Sequence, residues 1–88
     1  MISMLFPLSK MKIGQTAEIC WLADHKAITK RLLDLGFEPG ARVGCVLTKH
    51  GGEISAYWIK GAVIALRRED AELILVKEEG CKKEENGQ

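Results

Sequence analysis

Residues 26–43 read Lys26-Ala-Ile-Thr-Lys-Arg-Leu-Leu-Asp-Leu-Gly-Phe-Glu-Pro-Gly-Ala-Arg-Val43. Ile28, Leu32 and Leu35 recur at i, i+4 and i+7, the spacing that lines one face of a helix. Asp24 is positioned to cap its start, because a carboxylate accepts from the unpaired N–H groups of a first turn. Gly36 follows the last periodic leucine and closes the helix without a Cβ clash. That places Phe37 at C″, where an apolar side chain packs back on Leu32. Glu38-Pro39-Gly40-Ala41 fits a type II turn, with Pro setting φ at the first central position and Gly accepting a positive φ at the second. Helix, stop, turn and strand launch all agree.

Outward from this stretch the pattern changes to short strands. Residues 17–23 alternate, with Ala17, Ile19 and Trp21 opposed to Glu18, Cys20 and Leu22. Residues 42–49 place Val43, Cys45 and Leu47 on one face, and residues 54–60 place Ile54, Ala56 and Trp58 opposite Ser55, Tyr57 and Ile59. His50-Gly51-Gly52-Glu53 joins them as a hairpin connection. Gly61 turns the chain into residues 62–66, apolar on both faces and so expected to be buried. Residues 67–71 suit one helical turn, and residues 73–76 a last strand. Before the first strand, Leu8 and Met11 tuck inward from a short helical turn over residues 7–11, and residues 12–15 then turn the chain at Gly14. From Lys77 to the end the apolar pattern stops, so residues 77–88 are expected to form a charged, disordered tail beyond a domain of residues 1–76. About five short strands with tight turns and one helix after the first strand predict a mainly β, small, strongly bent barrel.

Composition narrows the chemistry. With 88 residues, the chain is one small domain whose core is limited in size. A hydrophobic fraction of 47% and a charged fraction of 28% are those of a folded globule. A net charge of +1 supplies no general attraction to nucleic acid or anionic lipid. The 3 cysteines form an odd set without a CxxC pair, which argues against a disulfide framework and for a reducing cytoplasm. The apolar start, residues 1–8, lacks a basic region and is cut by Pro7, so it reads neither as a signal peptide nor as a membrane span.

Here the residues resemble a family. Leu8-x-x-Met11-x-x-Gly14, Arg31-Leu32-Leu33-Asp34-Leu35-Gly36-Phe37-x-Pro39-Gly40-x-x-Val43, Gly61-x-x-Ile64-Ala65-Leu66-Arg67 and Ile74-x-Val76 together look like the ferrous iron transport protein A (FeoA) family, across residues 6–76. The resemblance implies an SH3-like barrel, a cytoplasmic location and a non-enzymatic accessory role. The implied partner is FeoB, a membrane ferrous iron transporter with a cytoplasmic GTPase domain. The same barrel forms the C-terminal domain of iron-dependent repressors, which makes a free-standing metal-responsive regulatory module the alternative. The winged-helix half and dimerisation helices of those repressors have no counterpart in the sequence.

Other chemistry finds little footing. No Gly-x-x-x-x-Gly-Lys-Ser/Thr run is present to cradle a phosphate. Metal binding needs three or four convergent ligands, and Cys20, His25, Cys45, His50, Glu53 and Cys81 are widely spaced. Cys20 and Cys45 lie in apolar strands as expected of structural thiols, and no cofactor or metal ligand is assigned. No motif links Ser9, Ser55 and the histidines into a catalytic set, so no catalytic residue is assigned. Lys26, Lys30, Arg31, Arg67 and Arg68 are diluted by Glu69, Asp70 and Glu72, and the aromatics do not interleave with them, so no nucleic acid partner is expected. At about 100° per residue, Leu33 falls about 140° from Ile28 and off the core stripe. Either the N-terminal segment with Leu5 and Phe6 covers it, or it is an apolar contact ringed by polar groups. The second reading places a partner-binding surface on Thr29, Lys30, Leu33 and Phe37.

Overall fold

A computed structural model describes residues 4–78. The strands are β1 (Leu5–Pro7), β2 (Thr16–Leu22), β3 (Arg42–Lys49), β4 (Ile54–Ile59), β5 (Ala62–Arg67) and β6 (Ile74–Glu78). Helix α1 (Lys26–Leu35) follows β2, and the short α2 (Arg68–Ala71) links β5 to β6. All six strands form one antiparallel sheet in the order β1-β6-β2-β3-β4-β5, bent around a single core as an SH3-like barrel.

The helix and its exit follow the sequence closely. Gly36 stands at φ 109, and its N–H bonds the Leu33 carbonyl while the Phe37 N–H bonds the Leu32 carbonyl. This is the Schellman pattern expected of a glycine at C′. It turns Phe37 inward, where it is fully buried and meets Tyr57 edge-on with ring centroids 6.5 Å apart. The Ala41 N–H then bonds the Glu38 carbonyl at 3.0 Å and closes the Pro39-Gly40 turn. That turn is stitched to β2 by a bond from the Gly40 N–H to the Ile19 carbonyl.

Several expectations are corrected. Leu8, Met11, Ala17, Ile19 and Val43 join the core as read, but Trp21 and Leu47 do not. β2 shifts register between Ile19 and Trp21, and β3 between Cys45 and Leu47. Each irregularity inserts a residue, so the strict alternation fails beyond it and the next apolar side chain turns to solvent. Leu5-Phe6-Pro7 adds a sixth strand, paired with β6, to the five expected. β5 is not buried on both faces: Ala62, Val63 and Ala65 are exposed, and its outer face is open like that of the neighbouring β4, where Trp58 is exposed as well. β6 continues through Lys77 and Glu78, two residues past the expected boundary, because their backbones still pair with Glu18 and Ala17 of β2. The rest of the expected tail lies outside the described residues.

The helix start is also different. His25, not Asp24, is the N-cap, and no side chain caps the first turn. Lys26 enters the helix at φ 44, which moves Asp24 one residue too far from the first-turn amides. Thr29 does the fastening instead: its hydroxyl accepts from the His25 N–H (2.7 Å) and donates to the Ala23 carbonyl (2.6 Å).

Tyr57 ties the sheet to the N-terminal turn, its hydroxyl donating to the Leu8 carbonyl at 3.4 Å. Burial raises its pKa above the ordinary 10.0, against a lowering by the Ser55 hydroxyl and with a small further rise from Cys45. The unfolded chain therefore loses this proton first. The stabilisation is complete below pH 10.0 and is lost as pH climbs beyond it. Urea titrations between about pH 9 and 11 should show stability falling more steeply in the wild type than in Tyr57→Phe. Parallel curves for the two proteins would contradict this.

Candidate docking surface

Helix α1 lies against the barrel with Leu32 fully buried and Ile28 half-buried. Leu35 does not complete the expected core stripe: it is 38% exposed, because the chain folds the Phe37 ring inward in its stead. The helix is pinned at a second point by Arg31, whose guanidinium reaches Asp70 of α2 at 3.4 Å. Asp70 is buried while Arg31 stays largely in water, so the pair supplies a buried acid with its cation. Sequence reading put Asp70 on a solvated turn. Its burial depends on how α2 packs on β5 and the Leu8–Lys10 turn, which no local pattern announces.

The outward side of α1 carries Ala27, Lys30, Leu33 and Asp34. Leu33 is 40% exposed, beside a Leu32 that is wholly enclosed. Lys30 and Asp34 face each other at 3.6 Å across one turn of the helix. An apolar side chain is thereby bordered by a solvated ion pair, the make-up of a small interface rim and core. Of the residues expected there, Lys30 and Leu33 share this face. Thr29 is half-buried with its hydroxyl spent on the backbone of residues 23 and 25. Phe37 is corrected out of the surface, since its burial leaves nothing for a partner to touch. Among the described residues, Leu5–Pro7 pair with β6, and Leu33 stays 40% exposed.

The remaining candidates are scattered. Cys45 is buried with its Sγ 4.0 Å from the Thr48 hydroxyl, and the half-buried Cys20 thiol approaches the Glu18 carbonyl at 3.7 Å. His25 stands at the helix start, His50 in the β3–β4 turn, and Glu53 is paired with Arg68 at 3.6 Å. Cys81 lies outside the described residues. Among the described residues, no three His, Cys, Asp or Glu side chains come together in a ligand-like group. The arginines and lysines are likewise divided among separate acids, with Lys30 on Asp34, Arg31 on Asp70, Arg67 on Glu69 and Arg68 on Glu53. No helix among the described residues is long and apolar enough to cross a membrane.

A family model, the FeoA domain, matches residues 6–78. The chain belongs to the FeoA family. Among solved structures, the FeoA of Stenotrophomonas maltophilia is 31% identical, over 81% of this chain and 88% of that one, with a TM-score of 0.73. That protein was crystallised with zinc and is described as an SH3 domain protein and a candidate activating factor of bacterial ferrous iron transport. The FeoA protein of Chlorobium tepidum is also 31% identical, over 86% of this chain and 76% of that one, with a TM-score of 0.77. A manganese-dependent transcriptional repressor shares the fold, with a TM-score of 0.80 over 90% of this chain and 44% of its own. Its 15% identity carries the likeness no further than the fold. A comparison with curated proteins gives no match. FeoA membership assigns this chain a role in ferrous iron transport, on an SH3-like scaffold.

Proposed function

We propose that this FeoA domain is a cytoplasmic, non-enzymatic accessory that docks on a FeoB-type ferrous iron transporter through the outward face of α1. Family membership supports the iron-transport setting. The observation that supports the docking face is the exposed Leu33 between Lys30 and Asp34, on a helix whose inner side is anchored by Leu32 and Arg31. A rigid helix presenting one apolar contact suits a module that prefers one conformation of its target. Such differential binding shifts the transporter's population without any chemistry by the accessory itself. The alternative of a free-standing metal-responsive regulator rests on the repressor fold alone.

Amide NMR titration with the cytoplasmic part of the organism's transporter tests this. Shifts are expected on Lys26, Lys30, Leu33 and Asp34. Leu33→Asp should keep the free-state spectrum and weaken binding by about tenfold or more, as removal of a central apolar contact does. Unchanged binding by a folded Leu33→Asp would move the docking surface elsewhere.

A further inference from the structure

A second exposed face lies on the outer side of β3, β4 and β5, away from α1. Cross-strand pairing sets Trp58 beside Val63 and Ala56 between Leu47 and Ala65. Val63 is 60% exposed and Trp58 44%, and Leu47, Ile54, Ala56 and Ala65 line a shallow groove of about 250 Å³. The next cross-strand row is Lys49–Ile54–Arg67, so the apolar strip ends between two cations.

The strip runs to an open edge. Among the described residues, β5 pairs with β4 and with no strand on its other side. The β4–β5 connection is the two-residue turn Lys60-Gly61, with φ 47 and 82, closed by Ile59 opposite Ala62. In such a hairpin the closing residues exchange both hydrogen bonds, and bonded pairs recur at every second residue. Ala62, Ile64 and Leu66 therefore spend their backbone groups on β4. Val63 and Ala65 point theirs outward, and the same two residues place their side chains on the apolar strip.

We propose that β5 accepts an added strand: an extended segment of another protein, with alternate apolar residues and a carboxylate at its N-terminal end. Antiparallel addition aligns the outward N–H and C=O groups of Val63 and Ala65 with the incoming main chain. It lays the segment's apolar side chains against Val63 and Ala65 and brings its first residues to Arg67, whose guanidinium stays solvated beside Glu69 at 3.9 Å. A second copy fits less well. The register that pairs Val63 with Ala65 across a two-fold axis sets Gly61 of each copy opposite Arg67 of the other, so that cation meets no carboxylate. This surface is independent of the transporter reading, which concerns α1.

The test uses the full chain and an acetylated, amidated peptide, Asp-Glu-Val-Thr-Val-Thr-Val. In the free protein the Val63 and Ala65 amides should exchange quickly with solvent while that of Ile64 is protected. Peptide should produce saturable NMR shifts on β5 and on the adjacent Ala56 and Trp58, and should slow exchange at Val63 and Ala65. Ala65→Pro removes an outward N–H without touching the β4 ladder and should weaken binding about tenfold. Val63→Lys, which leaves the backbone intact, should weaken it too, as should Lys-Lys in place of Asp-Glu. Protection of both amides in the free chain, self-association through β5, no saturable shifts, or equal binding by folded Ala65→Pro would each overturn the proposal.

Discussion

Phe37→Ala is expected to cost about 3–5 kcal/mol of folding stability and to leave much of the chain unfolded near physiological temperature. The ring is fully buried, packs edge-on against Tyr57 at 6.5 Å, and belongs to the one core cluster that includes Leu32, Ile59 and Val76. Truncation removes the transfer free energy of the ring and opens a cavity where helix exit meets sheet. The Gly36 cap cannot close that cavity, since Gly40 and Ala41 hold the following turn in place through Ile19 and Glu38. A domain this small has little stability in reserve. Urea unfolding followed by far-UV circular dichroism measures the loss. A cost below about 1 kcal/mol would show that Phe37 is not the core residue its burial indicates. The same experiment separates packing from docking, because a surface contact would lose binding while keeping its stability.

The exit of α1 and the turn after it were legible because those decisions are local. Gly36 needs only its own φ, Pro39-Gly40 only its own turn, and Ile28 and Leu32 only the helical period. Legibility stops where a partner strand decides. Nothing in Ile19-Cys20-Trp21 announces that β2 slips against β6 there, nor in Cys45-Val46-Leu47 that β3 slips against β4. Trp21 and Leu47 consequently leave the core despite perfect alternation. β5 was misread for a related reason. An apolar run signals burial on both faces only if something covers each face of the sheet, and the outer face of β5 is open like that of β4, where Trp58 is exposed too. At the docking surface, the angle of Leu33 on the helix was readable from the period, whereas the burial of Phe37 and Asp70 depends on which elements meet. Thr29 shows the same limit at closer range. Its position on the helix was clear, but its role in fastening residues 23 and 25 follows from the left-handed Lys26.

The adjacent leucines of α1 give the sharpest contrast. Leu32→Ala should lose about 2–5 kcal/mol, and Leu33→Ala about 0.5 kcal/mol or less of folding stability. Chemically the two changes are identical and lie one residue apart, so helix propensity cancels between them. What differs is environment: Leu32 has no exposed surface, while Leu33 keeps 40% of its own. Leu32 also supplies the carbonyl that accepts from Phe37, so a collapsing site beneath it would disturb the cap as well. Paired urea titrations read the difference directly. Equal losses would mean that α1 is rotated on the barrel, and with it the face proposed to meet the transporter. A large loss at Leu32 alone would leave Leu33 free to be judged by binding, where truncation to Ala should already weaken the transporter contact without the charge that Leu33→Asp introduces.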